Sequence, residues 1–208
     1  TCTQFTSDYG DHIYGTLAAS TASQTASADI RIGTNATDSE ATDPSDINAN
    51  KDDAAGTDDE DLTMPTFVVG TTTTLTVPVT QTKSNLTGTT QINAFVDWNG
   101  DGDVTDASET QTAQTVSLTG SSTVTFSLTP PVGITAGTRF LRLRITEGAS
   151  APTFSGVSTL KGEVEDYAIT VTGNLAIGNL VWNDANNNGL KDAAEVGING
   201  VAMELLRA

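Results

Sequence analysis

The chain has 208 residues, enough for one large or two small domains with a real core. Aromatic residues are only 5% of it, Thr, Ser, Gly, Asn and Asp dominate, and no stretch sustains the Leu, Glu, Lys and Ala pattern of a long helix. A formal charge of −17 repels phosphate backbones and anionic membrane surfaces, which argues against nucleic acid as a partner and leaves divalent cations as the natural counterions.

The charge is uneven. Residues 1–61 hold thirteen acids against Arg31 and Lys51, while the remainder holds thirteen acids against seven bases. Cys2 is the only cysteine, so no intrachain disulfide forms, and a free thiol, an intermolecular bridge and an anchoring site all stay open. No apolar run approaches the roughly 20 residues of a membrane span, so no membrane insertion is expected in this segment. The lack of an initiator Met and a signal peptide fits a processed or excised segment.

At the start, Asp8 and Asp11 bracket a turn, and Tyr9 and Tyr14 each precede a Gly. His12 is the only histidine, and without a second His or a nearby Cys it reads as a packing or surface residue. Residues 20–61 read as a long polar loop with short strands at most, the best at Asp29–Ile32. The segment ends in Asp58-Asp59-Glu60-Asp61, either a solvated cluster or a contributor to a cation site.

From Met64 the pattern changes to short β-branched runs at Phe67–Val69, Leu75–Thr80 and Gln91–Asp97. Pro78 lacks a backbone donor, which predicts an edge strand or a bulge. Further strands are predicted over Thr110–Leu118, around Val124, Phe126 and Leu128, over 139–146 and over Glu163–Thr172. No helical crossover separates them, so the spacing predicts an all-β, antiparallel β-sandwich of jelly-roll or immunoglobulin-like type with long N-terminal loops. Leu143 and Phe126 then face the core and Thr125 faces solvent.

Two loops carry the chemistry. Asp97, Asn99, Asp101, Asp103, Asp106 and Glu109 place six oxygen-bearing side chains in thirteen residues, with Gly102 at the tight turn. Ca²⁺ takes six to eight oxygens at about 2.3–2.6 Å, and a looped Asp-x-Asn-x-Asp-Gly supplies them from one segment. The second loop fits a twelve-residue calcium loop without adjustment: Asp184, Asn186, Asn188, Gly189, the carbonyl of Leu190, Asp192 and Glu195. In the first loop the later acids come one residue late. Either it bulges, which is the preferred reading, or it recruits Glu163 or the Asp58–Asp61 cluster. Glu163 and Glu165 share a parity with Tyr167, and Arg142 and Arg144 are the expected partners if those acids are buried.

The run Gly162-Glu163-Val164-Glu165-Asp166-Tyr167 resembles the signature of the GEVED domain, a module of large bacterial surface and secreted proteins. Asp8-Tyr9-Gly10-Asp11 with Tyr14-Gly15 looks like that family's opening, although His12-Ile13 stands where an Ala-Pro pair often follows. Asp58–Asp61 resembles its acidic motif with Leu62 in place of the usual Gly, and Arg139–Arg144 its Arg-rich strand. Residues 176–206 resemble the start of the B-type repeat domain of serine-aspartate-repeat adhesins, a calcium-stiffened β-sandwich of stalks. The resemblance implies domains at 1–172 and 173–208, the second incomplete or completed by a neighbouring chain through strand addition.

The expected function is a non-enzymatic, calcium-stabilised structural or adhesive module of a bacterial cell-surface or extracellular, even filament-forming, protein. Its expected cofactor is Ca²⁺ at two sites. Its expected partners are other copies or domains of the same protein and a glycan or host-matrix ligand. A carbohydrate-binding module is the alternative, with Trp98, Trp182, Tyr9 and Tyr14 as stacking platforms. No His-Glu-x-x-His, Gly-x-Ser-x-Gly or phosphate-cradling loop supports an enzyme.

Overall fold

The computed structural model of the chain describes residues 7–16, 20–35, 37, 39–40, 42–49, 62–82, 89–116, 119–173, 181–188 and 190–202. Cys2, the Asp58–Asp61 cluster, Gly189, Leu180 and Met203 lie outside the described residues. The chain divides into two compact units, Thr1–Asn174 and Leu175–Ala208.

In the first unit the named elements are all strands: β1 (Ser7–Tyr9), β2 (Ala22–Thr25), β3 (Ile30–Ile32), β4 (Phe67–Val68), β5 (Thr73–Gln81), β6 (Thr90–Asp97), β7 (Gln114–Val116), β8 (Gly120–Leu128), β9 (Gly137–Glu147) and β10 (Gly156–Thr172). The larger sheet runs β1-β2-β10-β9-β6-β7, and β4 joins the far end of β10; the smaller sheet is β3-β5-β8.

Period-two alternation builds the core. Leu141, Leu143 and Ile145 of β9 lie in register with Val96, Ala94 and Ile92 of β6. With Ile169 and Val171 of β10 they pack against Ile30, Ile32, Leu75, Val77, Val79, Phe126 and Leu128 of the smaller sheet in one buried cluster. Each such side chain contributes about 1.5–3 kcal/mol on leaving water. The opposite face of the larger sheet carries Arg142 and Arg144 of β9 and Asp166 of β10, all buried. Hydrogen bonds tie that polar face to His12, Ser20, Ser23, Thr153 and Gly156.

The β-sandwich is as expected, with three departures. It is not purely antiparallel, because β2 and β4 both pair parallel to β10. The N-terminal stretch contributes β1 and β2, which the alternation rule misses because β2 buries Ser23 and Gln24 beside Ala22 and so shows no apolar face. Finally, Pro78 is not on an edge strand, since β5 is central between β3 and β8. It sits where β3 stops: its carbonyl accepts from Gly33 N at 2.8 Å. The donor it lacks is replaced by Thr80 Oγ1, which bonds the Gly33 carbonyl at 2.7 Å.

In the second unit, an antiparallel bridge between Trp182 and Gly197 closes residues 184–195 into a loop. Ile198 N donates to the Val181 carbonyl at 2.6 Å beside it.

Leu143 is fully buried and Thr125 exposed. Leu143→Asp should therefore cost more than about 4 kcal/mol and unfold the first unit, while Thr125→Glu stays within about 0.5 kcal/mol, both read by chemical denaturation.

Candidate metal loops and their scaffold

Asp97 ends β6, so the first loop starts where the sheet stops. The loop is closed by the bridge between Phe95 and Thr110, with Val96 N donating to the Glu109 carbonyl at 2.8 Å. Asp97 accepts from Gly100 N at 2.6 Å and Gly102 N at 2.9 Å. The Asn99 amide donates to the carboxylates of Asp101, at 2.8 Å, and Asp106, at 2.7 Å. Glu109 takes Trp98 N on one oxygen, at 2.9 Å, and Asp106 N on the other, at 3.2 Å.

The second loop repeats this pattern. Asn186 and Asn188 donate their amides to Asp192 at 2.6 and 3.1 Å. Glu195 takes Ala185 N on one oxygen, at 2.8 Å, and Asp192 N on the other, at 3.0 Å. Asp184 accepts from Asn188 N at 3.1 Å, and Leu190 N donates to Asn188 at 2.8 Å. Asp106 therefore corresponds to Asp192 and Glu109 to Glu195, and the first loop accommodates one extra residue between Asp97 and Asp106.

Asp103 stands apart. Its carboxylate bonds Thr105 through backbone and hydroxyl, at 2.8 and 2.7 Å, and these bonds lower its pKa. Burial instead raises the pKa of Glu109, only partly opposed by its bonds from backbone N–H groups. Among the described residues no three His, Cys, Asp or Glu side chains are drawn together into a metal-ready group, since the acids hold loop N–H groups and asparagine amides. The donor set fits Ca²⁺ chemically: it is all oxygen, anionic and hard, and Asp97, Asp106, Glu109, Asp192 and Glu195 already accept loop N–H groups or asparagine amides.

The Gly162–Tyr167 motif does different work. Its Asp166, not either Glu, meets Arg142: the guanidinium donates through Nε at 2.8 Å and Nη2 at 2.7 Å, with both side chains fully buried. Strand parity explains the correction, because Asp166 lies directly opposite Arg142, while Glu163 and Glu165 face the core side with Ile145 and Leu143. Glu163 accepts from Ile32 N in the smaller sheet, so its bond to β3 ties the two layers. Arg144 binds the carbonyls of Ser23, Thr153, Ser155 and Gly156 at 2.8–3.2 Å, and burial lowers its pKa to about 10, leaving it charged at neutral pH.

Asp166 also accepts from His12 N at 2.9 Å and Tyr14 Oη at 3.2 Å. Asp8 accepts from Val164 N at 2.5 Å. Gly10 lies so close to the Arg142–Asp166 pair that a Cβ would meet Asp166 Oδ2 at 2.8 Å and Arg142 Nη2 at 2.9 Å. The N-terminal motif is thus a cover over the ion pair, and it carries Gly15 to the first loop. There Gly102, at φ 91°, would place a Cβ 2.5 Å from the Gly15 backbone.

Of the four candidate sugar platforms, Trp98 and Tyr14 are buried at 0% and 1% exposure and present no open face. Trp98 packs edge-on against Phe67 and donates Nε1 to the Ser108 carbonyl at 3.0 Å. His12 is a packing residue, stacked on Phe140 at 3.5 Å between ring centroids.

These features define a two-layer β-sandwich module with an internally stapled polar face and Asp/Asn-rich loops. Residues 91–170 match the model of the GEVED domain, and residues 175–208 match that of the SdrD B-like domain. The two domain types in tandem support a structural, adhesin-like module of a bacterial surface protein. No curated protein matches the chain. Among solved structures, the CARDB domain of a Pyrococcus furiosus protein, crystallised in complex with di-metal ions, is 16% identical with a TM-score of 0.34. That likeness covers 52% of this chain and 81% of that one. Among the described residues no helix is long and apolar enough to cross a membrane.

Two outcomes are expected. Burial lowers the His12 pKa below 6.5. The unfolded chain therefore binds a proton near pH 6.5 that the folded chain refuses, and stability present above that pH falls as pH drops toward the depressed value. His12→Phe, which keeps the ring contacts, should flatten that part of a melting-temperature-versus-pH curve. Gly102→Ala should cost at least about 2 kcal/mol through both clash and left-handed strain, whereas Gly100→Ala, open around its Cβ, costs about 1 kcal/mol.

Proposed function

We propose that the chain is a non-enzymatic, calcium-stabilised module of an extracellular bacterial surface protein, with mechanical or adhesive work. The observation that supports this reading most is the repeated loop, one copy in each unit. Each has an aspartate at its start and an Asn–Asp amide bond at its centre, and a glutamate near its end grips two backbone N–H groups. Such a loop needs a counter-charge. The amides supply a weak one, and a divalent cation would supply a strong one.

In the first unit Asp97, Asn99, Asp101, Asp106 and Glu109 would hold the ion. In the second, Asp184, Asn186, Asn188, Asp192 and Glu195 would do so with the Leu190 carbonyl. The geometry shifts weight away from Asp103, whose carboxylate is engaged by Thr105. Bound Ca²⁺ would neutralise acids that repel one another and join the two ends of each loop. A carbohydrate-binding role draws less support, because two of its four aromatic platforms are buried.

An ion held only by the folded state stabilises it by about 2.7 kcal/mol at a hundred times its Kd. Adding Ca²⁺ to chelator-stripped protein should therefore raise the melting temperature, and Glu109→Gln or Glu195→Gln should each remove part of the rise. Asp103→Asn should leave it nearly intact. An identical melting curve with and without Ca²⁺ would sink the reading.

A further inference from the structure

The outer face of β5 and β8 is free of charge; the described charge on that side of the smaller sheet is Arg31 of β3, across β5 from β8. In a chain of −17, none of the 26 acids and nine bases falls within residues 62–82 or 110–138, which contain β5 and β8. Thr74 and Thr76 of β5 and Ser121, Thr123, Thr125 and Ser127 of β8 are all exposed there.

Strand β8 is also an edge: among the described residues it pairs with β5 alone. It runs nine residues with no bulge in its register, no proline and no charge, although edges of that length usually carry such a device against pairing. The direction of its free backbone groups follows from Pro78. The Pro78 carbonyl points toward β3, where it accepts from Gly33 N. A residue's N–H and C=O point to the same side of an antiparallel strand, and sides alternate along it. Thr123, opposite Pro78, therefore turns its backbone groups away from β5, as do Ser121, Thr125 and Ser127.

We propose that this edge is the interface for a second copy of the chain, with β8 pairing antiparallel to itself about a twofold axis at Val124. Residue 124 is the centre of Gly120–Leu128, so the register is self-complementary. Thr123 meets the second copy's Thr125 and Ser121 its Ser127, and all four outward-turned residues in each copy gain both backbone hydrogen bonds. Val124, only half-buried at the edge of the core, meets its own counterpart on the inner side. Two three-stranded sheets become one of six.

Charge decides the occupant. Two copies at −17 repel each other overall, and across β5 and β8 they meet no like charge. A basic partner would find no acid here to pair with, and a glycan would find no exposed aromatic ring on β5 or β8. The inference does not depend on calcium.

Sedimentation equilibrium of the 208-residue chain over a concentration series tests it. The expected result is a monomer–dimer equilibrium that Thr123→Lys/Thr125→Lys weakens at least about tenfold by opposing like charges twice. Thr123→Lys/Thr125→Glu, which opposes unlike charges, should retain the dimer. Amide exchange on the unaltered chain needs no variant: dimerisation should slow the amides of Thr123 and Thr125 and leave that of Val124 unchanged. A monomer at every concentration, a dimer indifferent to the lysine pair, or protection confined to other strands would overturn the proposal.

Discussion

The ion pair between Arg142 and Asp166 is the constraint on which the polar half of the molecule depends. Two charges fully out of water cost several kcal/mol each unless their hydrogen-bonding capacity is met. Here it is met from several segments: Arg142 also donates to the carbonyls of Ser20 and Phe154, and Asp166 also receives His12 N and Tyr14 Oη. Tyr14 and Phe154 add ring faces 5.0 and 5.1 Å from the guanidinium. A sheet whose second face would otherwise stand in water is thereby sealed by a segment of low apolar content.

This arrangement explains why the N-terminal motif and the Gly162–Tyr167 motif accompany each other. Gly10 allows the chain to lie on the ion pair, and Asp8 holds the backbone of Val164. From the same cover, Gly15 reaches Gly102 and supports one side of the first Asp/Asn-rich loop. Such a loop is therefore built on two supports, a strand end at Asp97 and a glycine contact from the cover. The second loop, in its own unit, has the hairpin closure at Trp182 and Gly197.

Much of the sandwich was legible in the sequence because alternation reports burial. Val124, Phe126 and Leu128, or Leu141, Leu143 and Ile145, announce a strand and the face it buries. What stayed hidden shares one cause: polar residues that bury themselves against other polar residues have no periodic signature. Strand β2, with Ser23 and Gln24 inside, reads as loop, and Asp166 gives no sign in sequence that it outranks Glu163 and Glu165 as the partner of Arg142. Only the register of β9 on β10, which sets Asp166 directly opposite Arg142, reveals it. The loops were legible as acidic, turn-rich spacings, and the one-residue offset at Asp106 was visible too. The engagement of Asp103 by Thr105 was not, because a side chain's choice between loop centre and neighbour depends on geometry alone.

The most direct test of the account is a double-mutant cycle on the buried pair, with Arg142→Met, Asp166→Leu and their combination measured by equilibrium denaturation. If the pair is the staple of the polar face, each single change leaves a buried charge unmatched and costs about 3–5 kcal/mol. The double variant should then fall short of the sum of the two by at least about 2 kcal/mol. Costs that add within about 0.5 kcal/mol would mean that the two residues act independently, and would contradict the account.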